Sequence, residues 1–226
     1  MARSVIVTGG FGILGQAVSE AFAQLGDKVA RIDFAAQPHQ PVAGALDIGG
    51  IDLTDAAATK DALAKIVAAH GGIDVLVNVA GGFTWETLED GAIESFTKMH
   101  SINLVTNATI TQLALPELKN SSAGRIVNIG AGGAVKGAMG MASYAASKSG
   151  VHRLTEALAE ELAGSSVTVN AILPSIIDTP TNRADMPDAD TSTWVKPEAV
   201  AKVIVLLAST DAGAVSGALV PVSRGG

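Results

Sequence analysis

Ser4 to Gly15 reads SVIVTGGFGILG, and this stretch decides the fold. Ser4 to Val7 is a short β-branched run, TGGFGILG (Thr8 to Gly15) follows, and a helix-like pattern continues to about Leu25. Strand, glycine turn and helix thus succeed one another without a gap. Glycines allow a backbone to approach a ligand closely, and a helix amino terminus presents unpaired N–H groups to an anion. Gly9, Gly10, Gly12 and Gly15, with Phe11, Ile13 and Leu14 between them, are candidate contacts to a dinucleotide's pyrophosphate. Glycine turns between strand and helix are common, so the surroundings carry the reading.

Working outward, Lys28 to Asp33 is a second strand, and Asp33 ends it about 20 residues beyond the turn, where a dinucleotide fold places a carboxylate on the adenosine ribose. A carboxylate there accepts from the 2′-OH and repels a 2′-phosphate, which favours NAD(H) over NADP(H). Arg31 lies two residues earlier on the same strand face and argues weakly the other way. Phe34 to Gly44, with Pro38 and Pro41, is too short and interrupted for a full helix and predicts an abbreviated crossover. The next strand lies within Ala45 to Leu53. Asp52 at its end either accepts from the adenine amino group or caps the helix Thr54 to His70, a task that Thr54 or Asp55 can also perform. Ile73 to Val77 is a buried-type strand followed by NVAGGF, whose Asn78, Ala80 and Gly81 lie where a backbone can pass close to a flat ring. Phe83 and Trp85 follow, either as a stacking surface or as ordinary loop aromatics.

Asp90 to Leu118 reads as a long helix carrying Asn103, and a mid-helix asparagine alone signifies little. Arg125 to Ile129 and Val167 to Ile172 are strands. Pro174 to Lys196 has three prolines and no periodicity, and predicts a long functional loop. A helix, Pro197 to Ser209, and a strand around Ala218 to Val222 complete the pattern. Strand–helix alternation predicts one α/β domain over residues 1–226, a doubly wound, Rossmann-type, mostly parallel sheet of about seven strands with helices on both faces.

Composition agrees. Only 16% of residues are charged and mean hydropathy is +0.37, as a sheet covered on both faces requires. A net charge of −7 argues against nucleic acid or an anionic membrane as partner. No cysteine and four scattered histidines give neither disulfide framework nor metal-ligand spacing. The strand-like start has no apolar segment behind it, so neither signal peptide nor anchor is expected and a cytoplasmic location is predicted.

The chemistry concentrates in Asn128 to Lys148, NIGAGGAVKGAMGMASYAASK. Tyr144 and Lys148, four apart in a predicted helix from Met141 to Leu162, share one face. A cation beside a phenol favours the phenolate and brings its proton within reach of chemistry.

Together, TGGFGILG, Asp33, NVAG, Asn103, Tyr144 with Lys148, and the PSIIDT turn after the sixth strand resemble the short-chain dehydrogenase/reductase family along essentially the whole chain. The resemblance implies hydride transfer from a nicotinamide, with Tyr144, Lys148 and Asn103 catalytic. Lys148 would bind the nicotinamide ribose and lower the tyrosine pKa, and Asn103 would hold a water or helix kink. It also implies cofactor contacts at Pro174, Ile177 and Thr179, with Thr179 meeting the carboxamide, and assembly as a homodimer or homotetramer. One departure stands out. Most family members carry a serine thirteen residues before the tyrosine, and this chain has Ala131. Ser143 and Ser147 are poor substitutes, because neighbours on a helix point about 100° away. The GGFGILG loop, Asp33, Ala131 and the 177–194 segment are similar to the quinonoid dihydropteridine reductase branch, which implies a flat, conjugated small-molecule substrate. A carbonyl or quinone reductase, and a dinucleotide-binding protein without catalysis, are the alternatives.

Overall fold

In the computed structural model, which describes residues 2–224, strands and helices alternate as the pattern requires. The strands are β1 (Ser4–Thr8), β2 (Lys28–Ile32), β3 (Leu46–Ile48), β4 (Val75–Asn78), β5 (Arg125–Ile129), β6 (Thr168–Pro174) and β7 (Leu219–Val222). The helices are α1 (Ile13–Gln24), α2 (Ala56–His70), α3 (Glu94–His100), α4 (Thr106–Asn120), α5 (Ala142–Glu161), α6 (Pro180–Asp185) and α7 (Pro197–Leu207). All seven strands are parallel in one sheet of order β3-β2-β1-β4-β5-β6-β7. Chain order reverses between β1 and β4. That switch point opens a crevice at the carboxyl ends of the strands, where such sheets bind ligands.

Alternation along each strand divides the core in two. Val5, Val7 and Val29 face α1 and α7, which pack on each other. Ile6, Ile32, Leu76 and Ile126 face α2 and α4. Between β4, β5 and the helices over them lies a buried polar bolt. Asn128 Oδ1 accepts from Asn78 Nδ2 at 2.9 Å and Asn107 Nδ2 at 3.1 Å, while its own Nδ2 donates to Thr155 Oγ1 at 2.9 Å. Losing Asn128 would strand several buried donors, at about 1–3 kcal/mol each. The bolt holds α5 in place over the sheet.

Four expectations change. The second strand stops at Ile32, so Asp33 is the first residue beyond it, and the third strand is cut to three residues by Gly49 and Gly50. The long helix of Asn103 is two helices joined by a π-helical turn, Ser101–Val105. Single π-helical turns of this kind are rare and occur frequently at functional sites. The predicted loop 174–196 contains α6, because Thr179 caps it and Pro180 suits a first helical position. A parallel bridge between Ile177 and Val195 ties the ends of that segment together.

Candidate active site

The glycine turn is built before any ligand arrives. Thr8 Oγ1 accepts from the amides of Val79 at 3.0 Å and Ala80 at 3.1 Å, lashing the ends of β1 and β4 together. Gly9 has φ +60°, and a Cβ there would stand 2.9 Å from Ala80 Cα. At the N-cap of α1, Gly12 offers no side chain to the first-turn amides, and that turn holds no acidic residue. An uncapped twelve-residue helix behind a cradle of Gly9, Gly10 and Gly12 fits a pyrophosphate. Ile13 is exposed at the same edge, whereas Leu14 and Gly15 are buried and pack the helix onto the turn.

Asp33 is half-buried and already engaged, Oδ2 with the Phe11 amide and Oδ1 with the Ala35 amide, both at 2.9 Å. Each oxygen keeps a lone pair for a ribose hydroxyl. The helix cap is Asp55, which accepts from Ala57 and Ala58. Asp52 instead accepts from the Thr54 amide and hydroxyl through Oδ1, bonds that hold its pKa below the ordinary carboxylate value. It is exposed, with Oδ2 free of those bonds. Asn78 is turned away from the crevice into the polar bolt, so only its backbone remains to face a cofactor.

Tyr144, Lys148 and Asn103, the residues expected to handle the proton, lie around the first turns of α5. Lys148 is buried one turn beyond Tyr144 on α5, and its Nζ donates to the Ile129 carbonyl at 2.8 Å. Burial pulls its pKa down to about 8. Asn103 is buried under the π-helical turn, where Oδ1 accepts from the Gly82 amide at 2.9 Å and Nδ2 donates to Ser147 Oγ at 3.0 Å. Ser147 donates in turn to the Tyr144 carbonyl at 2.8 Å. A Cβ on Gly81 would stand 2.5 Å from Asn103 Oδ1 and 3.4 Å from Lys148 Nζ, so the chain passes here through a gap that suits glycine. The expected lowering of the tyrosine pKa is not what the chain alone produces. Burial pushes Tyr144 up to about 12, and no charge or hydrogen bond opposes it.

The substrate side is apolar. Ala131 packs its methyl with Ala134 and Ala145 against Met141 and Tyr144. Its amide donates to His152 Nε2 at 3.2 Å. His152 is a residue that the motifs miss, although its position four after Lys148 places it on the same helix face. Burial first, then Arg153 and Lys148, lower its pKa and favour the neutral imidazole that this bond needs. Ser147 is spoken for, and Ser149 donates to the Ala134 carbonyl at 2.8 Å. Above the phenol, the Phe83 ring stands edge-on to Tyr144 with centroids 4.8 Å apart. Trp85 lies against Gly140, and the next amide, of Glu86, donates to the Gly140 carbonyl at 2.9 Å.

After β6, Pro174 is buried in the strand end. The Ile177 carbonyl accepts from Asn182 Nδ2 at 2.7 Å, and Thr179 Oγ1 accepts the Asn182 amide at 3.2 Å, leaving the threonine hydroxyl hydrogen to give. Thr179 and Ile13 line one groove with Arg183 and Lys196. Among the described residues no helix is long and apolar enough to cross a membrane, and no cluster of three or more His, Cys, Asp or Glu could hold a metal ion.

A family model described as short chain dehydrogenase matches residues 3–190. A 3-oxoacyl-[acyl-carrier-protein] reductase of Thermotoga maritima is 31% identical over 97% of this chain and 96% of its own length. An acetoacetyl-CoA reductase of Shinella zoogloeoides is 33% identical over 100% of this chain and 98% of its own. Among solved structures, ligand-free aldohexose dehydrogenase of Thermoplasma acidophilum superposes with a TM-score of 0.89 at 27% identity, covering 98% of this chain and 92% of that one.

Proposed function

Because this chain belongs to the short-chain dehydrogenase family, an oxidoreductase family that uses nicotinamide dinucleotides, we propose that it reduces a flat, conjugated carbonyl such as a quinone with NADH. The observation that carries this reading is the wall around Tyr144. A phenol with its proton firmly held faces the Phe83 ring and a methyl from Ala131, where a serine would otherwise stand. An isolated ketone needs a donor to polarise it, worth about 2.7–4 kcal/mol. A conjugated acceptor already spreads the incoming charge and needs less.

The dinucleotide supplies the hydride. Tyr144 passes its proton to the substrate oxygen as charge develops there. Lys148 keeps two N–H donors beyond the one given to Ile129, and these suit ribose hydroxyls and place a positive charge near the phenol. Asn103 fixes the π-helical turn and, through Ser147, the first turn of α5. Phe83 covers one side of the phenol. Asp33 supports NADH by accepting from an unmodified ribose. Assembly as a homodimer or homotetramer belongs to the same proposal and rests on the family alone.

A quinonoid dihydropterin is the second reading, favoured by the same two residues, Ala131 and Phe83. The named relatives favour carbonyl substrates instead. The test is NADH oxidation, followed by its absorbance, with a quinone, a 3-oxoacyl thioester, and quinonoid dihydropterin generated in the cuvette. Turnover on a quinone at least tenfold above the thioester is expected. A thioester preferred over both flat acceptors sinks the proposal.

A further inference from the structure

One charged pair at the edge of the dinucleotide groove has no part in the chemistry above. Arg31 stands on β2 two residues before Asp33, and none of its surface is exposed. Its guanidinium is fully engaged. Nε and Nη2 donate to the two oxygens of Asp47 at 2.6 and 2.7 Å, and Nη1 donates to Gln16 Oε1 at 2.7 Å and to the Gln40 carbonyl at 3.3 Å. The Phe11 ring covers the guanidinium, with its centroid 5.2 Å from Cζ. Arg31 and Asp47 are direct partners in the parallel register of β2 and β3, so the sheet itself enforces the pairing. Asp47 keeps about 30% of its side chain exposed and lines an open cavity with Phe11, Gln37 and Lys65. The cation is therefore buried while its counter-charge faces the groove.

We propose that Asp47 is a second determinant of dinucleotide choice, acting with Asp33 by cancelling the Arg31 cation beside the adenosine ribose. The inference rests on the reading that the Thr8 to Gly15 turn holds the adenosine half. Phe11 links the three groups, its amide on Asp33 and its ring over Arg31. With Arg31 neutralised, Asp33 and Asp47 leave that corner negative, and a 2′-phosphate entering it meets repulsion. Without the Asp47 charge, the guanidinium offsets Asp33 and the repulsion falls away.

The experiment is fluorescence titration of the full chain with NADH and with NADPH, without substrate, for wild type, Asp47→Asn, Asp47→Ser and Arg31→Met. Removing the carboxylate should raise NADPH affinity relative to NADH at least fivefold. Arg31→Met should lower the same ratio, because it leaves Asp47 unpaired. Opposite signs are the signature, since mere loosening of the β2–β3 edge moves both ratios the same way. Asp47→Ser stands in if Asp47→Asn does not fold. Ratios that shift together, or an Asp47 change under twofold, overturn the inference while leaving NADH binding intact. A wild-type chain that binds neither coenzyme overturns the cofactor reading and this inference with it.

Discussion

The two ends of the crevice are built on opposite plans. At the dinucleotide end the polar groups are already tied to backbone: Thr8 to Val79 and Ala80, Asp33 to Phe11 and Ala35. At the substrate end the phenol of Tyr144 stands among Ala131, Ala134, Ala145 and Phe83, its pKa pushed up to about 12 by burial alone. A preorganised cradle binds without rearranging, whereas an unassisted acid holds its proton until charge develops beside it. On the proposed function the first end would fix position and the second would supply chemistry, and variants should separate them.

The largest effect is expected from Tyr144→Phe. It deletes the phenol proton while leaving the Phe83 contact and the glycine cradle untouched. Turnover should fall by about 10²–10⁴, with NADH affinity within twofold of wild type. Steady-state rates beside fluorescence titration read both ends at once. A mutant that turns over at the wild-type rate would mean the acid lies elsewhere.

Ala131→Ser sharpens the contrast from the other direction, by adding polarity where the site has none. The new hydroxyl would sit beside Tyr144 and Ala145. If the missing donor is what excludes isolated ketones, the variant should gain about tenfold or more on a 3-oxoacyl thioester and little on a quinone. Equal gains on both would mean that conjugation does not explain the tolerance of alanine.

Much of this contrast was legible in the sequence, and unevenly so. The parallel seven-stranded sheet follows from strand–helix alternation, though its strand order does not, and the Asp33 and Tyr144–Lys148 positions follow from local spacing, which short-range physics fixes. The side chain of Asn78 was not legible, because a motif position does not say which way an amide turns in a buried network. The pairing of Arg31 with Asp47 depends on the register of two strands separated by an irregular crossover, and no local pattern encodes it. The pKa of Tyr144 went against expectation for a similar reason. Helical spacing put a cation on the same face, but Lys148 spends its first bond on Ile129, and burial alone sets the phenol's pKa.

That balance gives the smallest and most specific prediction. Lys148 sits at about 8, well below its ordinary value, because burial disfavours the ammonium. As pH rises from 7 to 9 the folded chain therefore loses this proton, and with it an attraction for the dinucleotide, so NADH affinity should fall severalfold. Tyr144, at about 12, and His152, lowered from 6.5, do not titrate in that window. Stability should move the opposite way. An unfolded lysine keeps its proton to about 10.4, so between about 8 and that value the unfolded state holds more protons and rising pH favours the fold. Binding that weakens while the melting temperature holds or climbs, both flattened in Lys148→Met, would tie the two ends of the crevice to one buried amine. Parallel losses of binding and stability would assign the pH effect to general unfolding instead.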